Sequence, residues 1–180
     1  MFRIGIVGHR YLANKETIAF VREQCGVVLK QARSEHTDVV ALSAIAEGAD
    51  TLFAETALGL DIPLEIVRPF DDYAADFETK DARERYAELR AAARTESKLA
   101  HRERSDTAYG AAMSWIVTSS DVVVIAWDGL PADGPGGTGS AVELVIKLNR
   151  LWLHLDVSDL SVKLYRGSQR REDKLDGHHS

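Results

Sequence analysis

The sequence predicts an α/β fold: a Rossmann-like three-layer sandwich built on a parallel sheet of about five strands. Two observations carry this expectation. Short Val- and Ile-rich runs alternate along the chain with longer segments whose apolar residues recur at helical spacing. The runs are also continuous rather than alternating, as in residues 121–127 (DVVVIAW), the pattern of strands buried on both faces beneath covering helices. Strands and helices in this alternation close by right-handed crossovers into one sheet with helices on both sides. A chain of 180 residues is long enough for a single domain with its own core.

The elements follow in order. Residues 3–7 (RIGIV) read as the first strand, ending at Gly8. Residues 15–34 place Ile18, Val21, Cys25, Val28, Leu29 and Ala32 along one helical face. Residues 38–43 read as the second strand and 49–60 as the second helix. Residues 63–68 give the third strand, with Pro63 at its start, where a missing N–H is tolerated. Residues 71–105 interrupt the alternation. They are charged and read as a helical insertion without a strand, either a solvated one or one that acts as a lid or dimer contact. Residues 106–119 form a helix with Tyr109, Met113, Ile116 and Val117 inward, followed by the strand at 121–127. Residues 138–152 read as a helix with Ala141, Leu144, Val145, Leu148 and Trp152 on one side, and 161–166 as the fifth strand. The domain spans 1–166, and the polar tail 167–180 reads as disordered.

Composition narrows the function classes. A net charge of −6 lacks the basic footprint of a dedicated nucleic-acid binder, so nucleic acid is not expected as a partner. Cys25 is the one cysteine, which rules out an intrachain disulfide and a cysteine zinc cluster; its place on the apolar helix face reads as an inert buried thiol. His9, His36, His101 and His154 show no ligand spacing, so neither a metal nor another cofactor is expected. No apolar run approaches the roughly 18 residues that a membrane helix needs. Nothing resembling a signal peptide precedes the first strand, which reads as a cytoplasmic protein.

In an open parallel sheet, ligands bind beyond the carboxyl ends of the strands, where strand order reverses. Four loops leave those ends, at 8–14, 44–49, 69–72 and 128–139, and each holds candidate residues; three stretches stand out. The first is Gly8, His9 and Arg10, where glycine allows close approach and two cationic or polar side chains can meet an anion. The second is SAIAEGAD at 43–50: Ser43, a tight turn at Gly48, and Glu47 and Asp50 near a helix start, suited to ribose hydroxyls or to capping alone. The third is GPGGTGSAVE at 134–143. Gly136, Gly137 and Gly139 let successive N–H groups converge, Thr138 and Ser140 add hydroxyls, and the helix start adds about half a positive charge. That combination suits phosphate. The stretch lacks the Lys of a P-loop, and the first loop lacks the dinucleotide fingerprint. Glu143 lies one turn into the helix, and Asp128 closes the strand before the loop.

Residues 135–143 match the P-G-G-x-G-[ST]-x-x-E pattern of the lysine-decarboxylase-like "LOG" proteins, which are nucleoside-monophosphate phosphoribohydrolases. Asp128-Gly129 with the following Gly-Thr and Glu143 resembles a segment of nucleoside deoxyribosyltransferases. Together with V-G-H-R, S-x-x-A-E-G-A-D, P-F…Y…D-F and W-D-G…G-G-T, the chain resembles the SLOG superfamily over most of residues 3–150. That Rossmannoid group includes the LOG proteins and the DNA-processing protein DprA. The resemblance implies a nucleotide-like small-molecule ligand at the strand ends, with phosphate on the glycine loop. In the enzyme branches it implies Glu143 at the anomeric carbon, as nucleophile or as stabiliser of an oxocarbenium-like centre. LOG enzymes carry an Arg on the preceding helix; Ala112 aligns there, residues 106–119 hold no Arg or Lys, and Arg10 is the candidate replacement. Many relatives sense nucleotide-derived signals without turnover. The expectation is therefore a nucleotide-binding sensor, with an N-glycosylase or glycosyl transferase using Glu143 as the alternative. The resemblance also implies a homodimer.

Overall fold

The structure, a computed structural model, describes residues 1–131 and 137–171. The first half runs β1 (Phe2–Gly8), α1 (Lys15–Glu35), β2 (Val39–Ser43), α2 (Ala49–Gly59), β3 (Leu64–Phe70), a 3-10 turn (Tyr73–Asp76), α3 (Lys80–Ala92) and β4 (Thr95–His101). The second half runs α4 (Asp106–Ser119), β5 (Val122–Trp127), α5 (Thr138–Lys147), β6 (Leu151–Asp156), β7 (Ser161–Arg166) and β8 (Gln169–Arg171). The strands form one sheet in the order β4-β3-β2-β1-β5-β6-β7-β8. β4 through β6 in that order are parallel, and β7 and β8 close the sheet antiparallel.

The Rossmann-like α/β class read from the sequence is the one observed. Both faces are buried at the centre of the sheet, which is why β1, β2 and β5 read as unbroken apolar runs. Ile4 and Ile6 of β1 pack with Val21, Cys25 and Leu29 of α1 and Phe53 of α2. Val7 packs on the other face with Ala112, Met113 and Ile116 of α4 and Ala141 and Val145 of α5. Truncating one of these buried side chains, Leu29→Ala for example, would cost about 2–5 kcal/mol. Burial also settles the one cysteine: it pushes the Cys25 thiol up to about 12, as expected for an inert core residue.

The chain winds outward from β1 to β4, then returns past β1 to lay β5 against its free side, with Gly8 opposite Ala126. This reversal puts the topological switch point between the carboxyl ends of β1 and β5. Helix starts differ in a way that bears on the site. Asn14, Thr79 and Ser105 cap α1, α3 and α4 by accepting N–H bonds from Thr17, Ala82 and Ala108. Helices α2 and α5 begin at Gly48 and Gly137 and have no side-chain cap.

Three expectations need correction, and together they raise the strand count from five to eight. The charged stretch 71–105 contains a strand. β4 is an edge strand held through charge: its Glu96 accepts from Arg68 of β3 at 2.5 Å and from Arg90 of α3 at 2.6 Å. The helix expected over 138–152 stops at Lys147. Asn149 takes a left-handed conformation (φ 50°), and Trp152 lies in β6, hydrogen-bonded in parallel register to β5. The tail stays ordered past Gly167: that glycine turns with φ 56°, and residues 169–171 pair with β7.

Candidate functional site

At the end of β1, Gly8 is required by close packing. A Cβ there would stand 2.5 Å from the Ala49 Cβ and 3.0 Å from the Ala126 Cβ. His9 continues the strand's bonding: its N–H donates to the Ala126 carbonyl, and its carbonyl accepts from the Ala49 N–H, both at 3.1 Å. The next two side chains then diverge. His9 turns toward β5 and α5, with Nε2 3.1 Å from Asp128 Oδ1 and Nδ1 3.4 Å from Thr138 Oγ1. Arg10 turns toward the 3-10 turn and α4; its Nη2 donates to Asp76 Oδ2 at 2.6 Å, and its guanidinium sits 5.3 Å from the Tyr109 ring centre.

Asp76 is held by aromatic packing. Tyr73 meets Phe70, Phe77 and Tyr86 edge to face, and Phe70 meets Tyr109 in the same way. This places the Asp76 carboxylate, only 2% exposed, between Arg10, the Tyr109 hydroxyl and Arg104 Nε at 3.3 Å. Burial first, and then its bond to Asp76, lift the Tyr109 hydroxyl to about 12, so it stays a donor.

Asp50, in the first turn of α2, is buried. Desolvation pushes its carboxyl up to about 7, against N–H bonds from Ala46 and Ala44, the Arg10 charge and the Ser43 hydroxyl. Ser43 accepts the Ile45 N–H at 2.9 Å and lies 3.4 Å from Asp50 Oδ2. Asp128 moves the other way. Burial opposes its charge, but the Leu130 N–H and His9 hold its carboxyl below the usual carboxylate range.

Of these groups His9, Arg10, Asp50, Arg104, Tyr109 and Asp128 line one cavity of about 550 Å³ at the switch point, and Asp76 is bonded to Arg10 and Tyr109 of that lining. Its apolar floor includes Ile6, Val7, Ala112, Met113 and Ile116. Of the residues singled out from sequence, Gly8, His9, Arg10, Asp50, Asp128, Gly137, Thr138 and Gly139 line it. Ser43 supports Asp50 from below, and Gly48 lies under the backbone of residues 9 and 10. Ser140 is half-buried just inside α5, and its N–H donates to the Gly137 carbonyl at 3.0 Å. Gly136 lies outside the described residues. Glu47 faces a separate pocket of about 170 Å³ with Thr51, Phe77 and Arg85. Glu143 is exposed on α5 and is not among the residues lining the main cavity.

Sequence reading did not single out Tyr73, Asp76 or Arg104 as site residues: all three sit in the stretch taken as an insertion, and Tyr73 and Asp76 entered only within the P-F…Y…D-F resemblance. The aromatic spacing of Tyr73, Phe77 and Tyr86 within that charged segment was the available signal. Ala112 presents a methyl group to the cavity where LOG proteins carry Arg; here Arg10 and Arg104 bring guanidiniums to it from other elements. Among the described residues, no group of three or more His, Cys, Asp or Glu side chains is placed to hold a metal ion.

No family model and no curated protein matches this sequence. Solved structures match its fold. DNA processing protein A from Helicobacter pylori superposes over 85% of this chain and 64% of its own, with a TM-score of 0.55 and 17% identity. DprA from Streptococcus pneumoniae gives a TM-score of 0.59 at 14% identity, covering 85% of this chain and 50% of its own. The molybdenum cofactor carrier protein of Chlamydomonas reinhardtii gives 0.53 at 15% identity, over 85% and 75%. The chain thus spans about half to two thirds of the DprA chains it matches. At these identities the likeness establishes a shared fold, a mostly parallel Rossmann-like sheet covered by helices. It is the fold that resemblance to the SLOG superfamily implied.

The comparison overturns one expectation. The H. pylori protein was solved to explain its single-stranded DNA binding mode, so this fold does serve nucleic acid. A net charge of −6 cannot exclude such a partner, because it sums the whole surface while binding responds to the local field. Arg10 and Arg104 meeting at one cavity show how cations gather on an acidic chain. Among the described residues, no helix is long and apolar enough to cross a membrane.

Proposed function

We propose that this protein binds a nucleotide or nucleotide derivative in the cavity between β1 and β5, as a sensor rather than a catalyst. The observation that carries the reading is the cavity's makeup. Two helices without side-chain caps, α2 and α5, start beside it, and His9 and Arg10 enter from the end of β1. The N–H groups of the first turn of α5 at Gly137–Gly139, which no side chain caps among the described residues, and the helix dipole favour phosphate, with Thr138 and His9 beside them. Asp50 and Asp128 can accept or share hydrogen bonds with ribose hydroxyls. A volume of about 550 Å³ fits a ligand of this size. Turnover through Glu143 would need that carboxylate at the sugar; its exposed position outside the lining favours binding without cleavage.

Thermal-shift measurements with nucleosides, nucleoside mono- and diphosphates, dinucleotides and short single-stranded oligonucleotides test this. A true ligand raises Tm by mass action, and the rise should shrink in His9→Ala. Base release, followed by chromatography on wild type and Glu143→Gln, separates sensing from cleavage. If none of these compounds shifts Tm, the reading fails.

A further inference from the structure

We infer that the cavity holds a second anion seat, formed by Arg10 and Arg104 around Asp76 and set apart from the start of α5. The ligand it fits carries two anionic groups, one for each end. The inference deepens the nucleotide reading and rests on it only for the nucleoside part of the ligand.

The divergence of His9 and Arg10 gives the cavity two polar ends. His9 belongs to the end made by Asp128 and Thr138, Arg10 to the end made by Asp76 and Tyr109. At the Arg end the carboxylate is the fixed part. Asp76 is 2% exposed and receives hydrogen bonds from Arg10 and the Tyr109 hydroxyl. Arg10, 31% exposed, engages it through Nη2, and Arg104, 70% exposed, approaches through Nε. Neither guanidinium has a further hydrogen-bond partner among the described residues, so each keeps N–H groups for a ligand. Two guanidiniums around one carboxylate leave the cluster positive. Asp50, the other acid near Arg10, is pushed by burial up to about 7, so near neutral pH it offsets only part of that charge.

Guanidinium N–H groups fixed by a carboxylate suit a planar or tetrahedral oxyanion. Asp76 acts here as a positioning residue: it orients Arg10 from within, and Arg104 closes from solvent. A nucleoside or a monophosphate fills one end only. A nucleoside diphosphate or bisphosphate fills both.

Isothermal titration of wild type and Arg104→Gln tests this with AMP, ADP, adenosine 3′,5′-bisphosphate and inorganic pyrophosphate. Arg104 is largely exposed, so its replacement leaves the fold intact. Wild type should bind ADP or the bisphosphate about tenfold more tightly than AMP, the effect of one charge-assisted contact. Arg104→Gln should erase that preference while changing AMP affinity by no more than about twofold. The same variant should weaken pyrophosphate. A preference that survives the substitution, or an equal loss for AMP and the two-anion ligands, overturns the second seat. Pyrophosphate binding that depends on Arg104, with no nucleotide bound, would keep the seat and sink the nucleotide reading. No binding of any of the four would sink both.

Discussion

Gly48 lies directly beneath Arg10: a Cβ at position 48 would stand 2.3 Å from the Arg10 carbonyl oxygen and 2.4 Å from that of His9. The backbone at Gly48 also takes φ 90° and ψ −127°, a conformation that side chains resist. The neighbours it would strike are backbone atoms, which cannot swing aside. Gly48→Ala should therefore destabilise the protein by at least about 2 kcal/mol. Thermal unfolding should show a fall in Tm of roughly 6 °C. The ligand response should weaken as well, because the same contact sets the path of His9 and Arg10. An unchanged Tm would mean that the turn tolerates a side chain and that its fit to residues 9 and 10 is loose.

Asp50 gives the site a pH signature. Its carboxyl is raised by burial from an ordinary value of 3.8 to about 7. Between those two values the folded state binds a proton that the unfolded state has released. Stability contributed by this group is thus highest below about 4 and falls as pH rises toward 7, the reverse of a salt-bridged carboxylate. Asp50→Asn removes the titration. Its Tm relative to wild type should be higher at pH 8 than at pH 5. A difference between the two proteins that stays constant across that range would show that Asp50 does not titrate there.

How much of this was legible depended on what holds each element. β1, β2, β5 and helices α1, α2 and α4 are held by burial, and the Val and Ile runs and helical spacing recorded that directly. β4 was invisible because it is an edge strand. Glu96 sits there between Arg68 and Arg90, and charge pairs of this kind leave no apolar pattern. β6 was misread because Val145, Leu148 and Trp152 continue a helical period that Asn149 breaks with a single left-handed residue. In the site, glycine chemistry pointed to the loops at 8–10 and 137–139, which line the cavity. It could not point to Asp76 or Arg104, whose meeting with Arg10 depends on the aromatic packing of Tyr73 and Phe77. Motif position suggested Glu143 as a pocket residue, and the structure leaves it exposed on α5.

Cys25 offers a direct probe of the core. Burial is the main cause of its raised thiol, pushed up to about 12, and the nearby Asp50 charge adds to it. At pH 8 only about one molecule in ten thousand would carry a thiolate. Native protein should react with a thiol reagent such as Ellman's only as fast as it unfolds. Denaturant should release the single equivalent that one cysteine supplies. Rapid reaction of the native protein would place Cys25 outside a closed core.

Asp76 ties together parts of the chain that sequence kept apart: β1 through Arg10, the 3-10 turn itself, and α4 through Tyr109. Removing it leaves Arg10 without its carboxylate in a partly closed cavity. A fully buried pair broken on one side loses about 3–5 kcal/mol, but Arg10 and Arg104 keep some access to water here. Asp76→Ala should therefore cost less, about 2 kcal/mol in urea denaturation. Arg10→Ala leaves the 2%-exposed carboxylate with only Tyr109 and the outer Arg104, and should destabilise to a similar degree. The double variant removes both halves of the pair, so its loss should fall short of the sum by about 1 kcal/mol or more. The hydroxyl of Tyr109 would then lose its acceptor, which keeps the double variant below wild type. Strict additivity of the two substitutions would show that Arg10 and Asp76 meet without stabilising each other, and that the cavity wall is held by its aromatic packing alone.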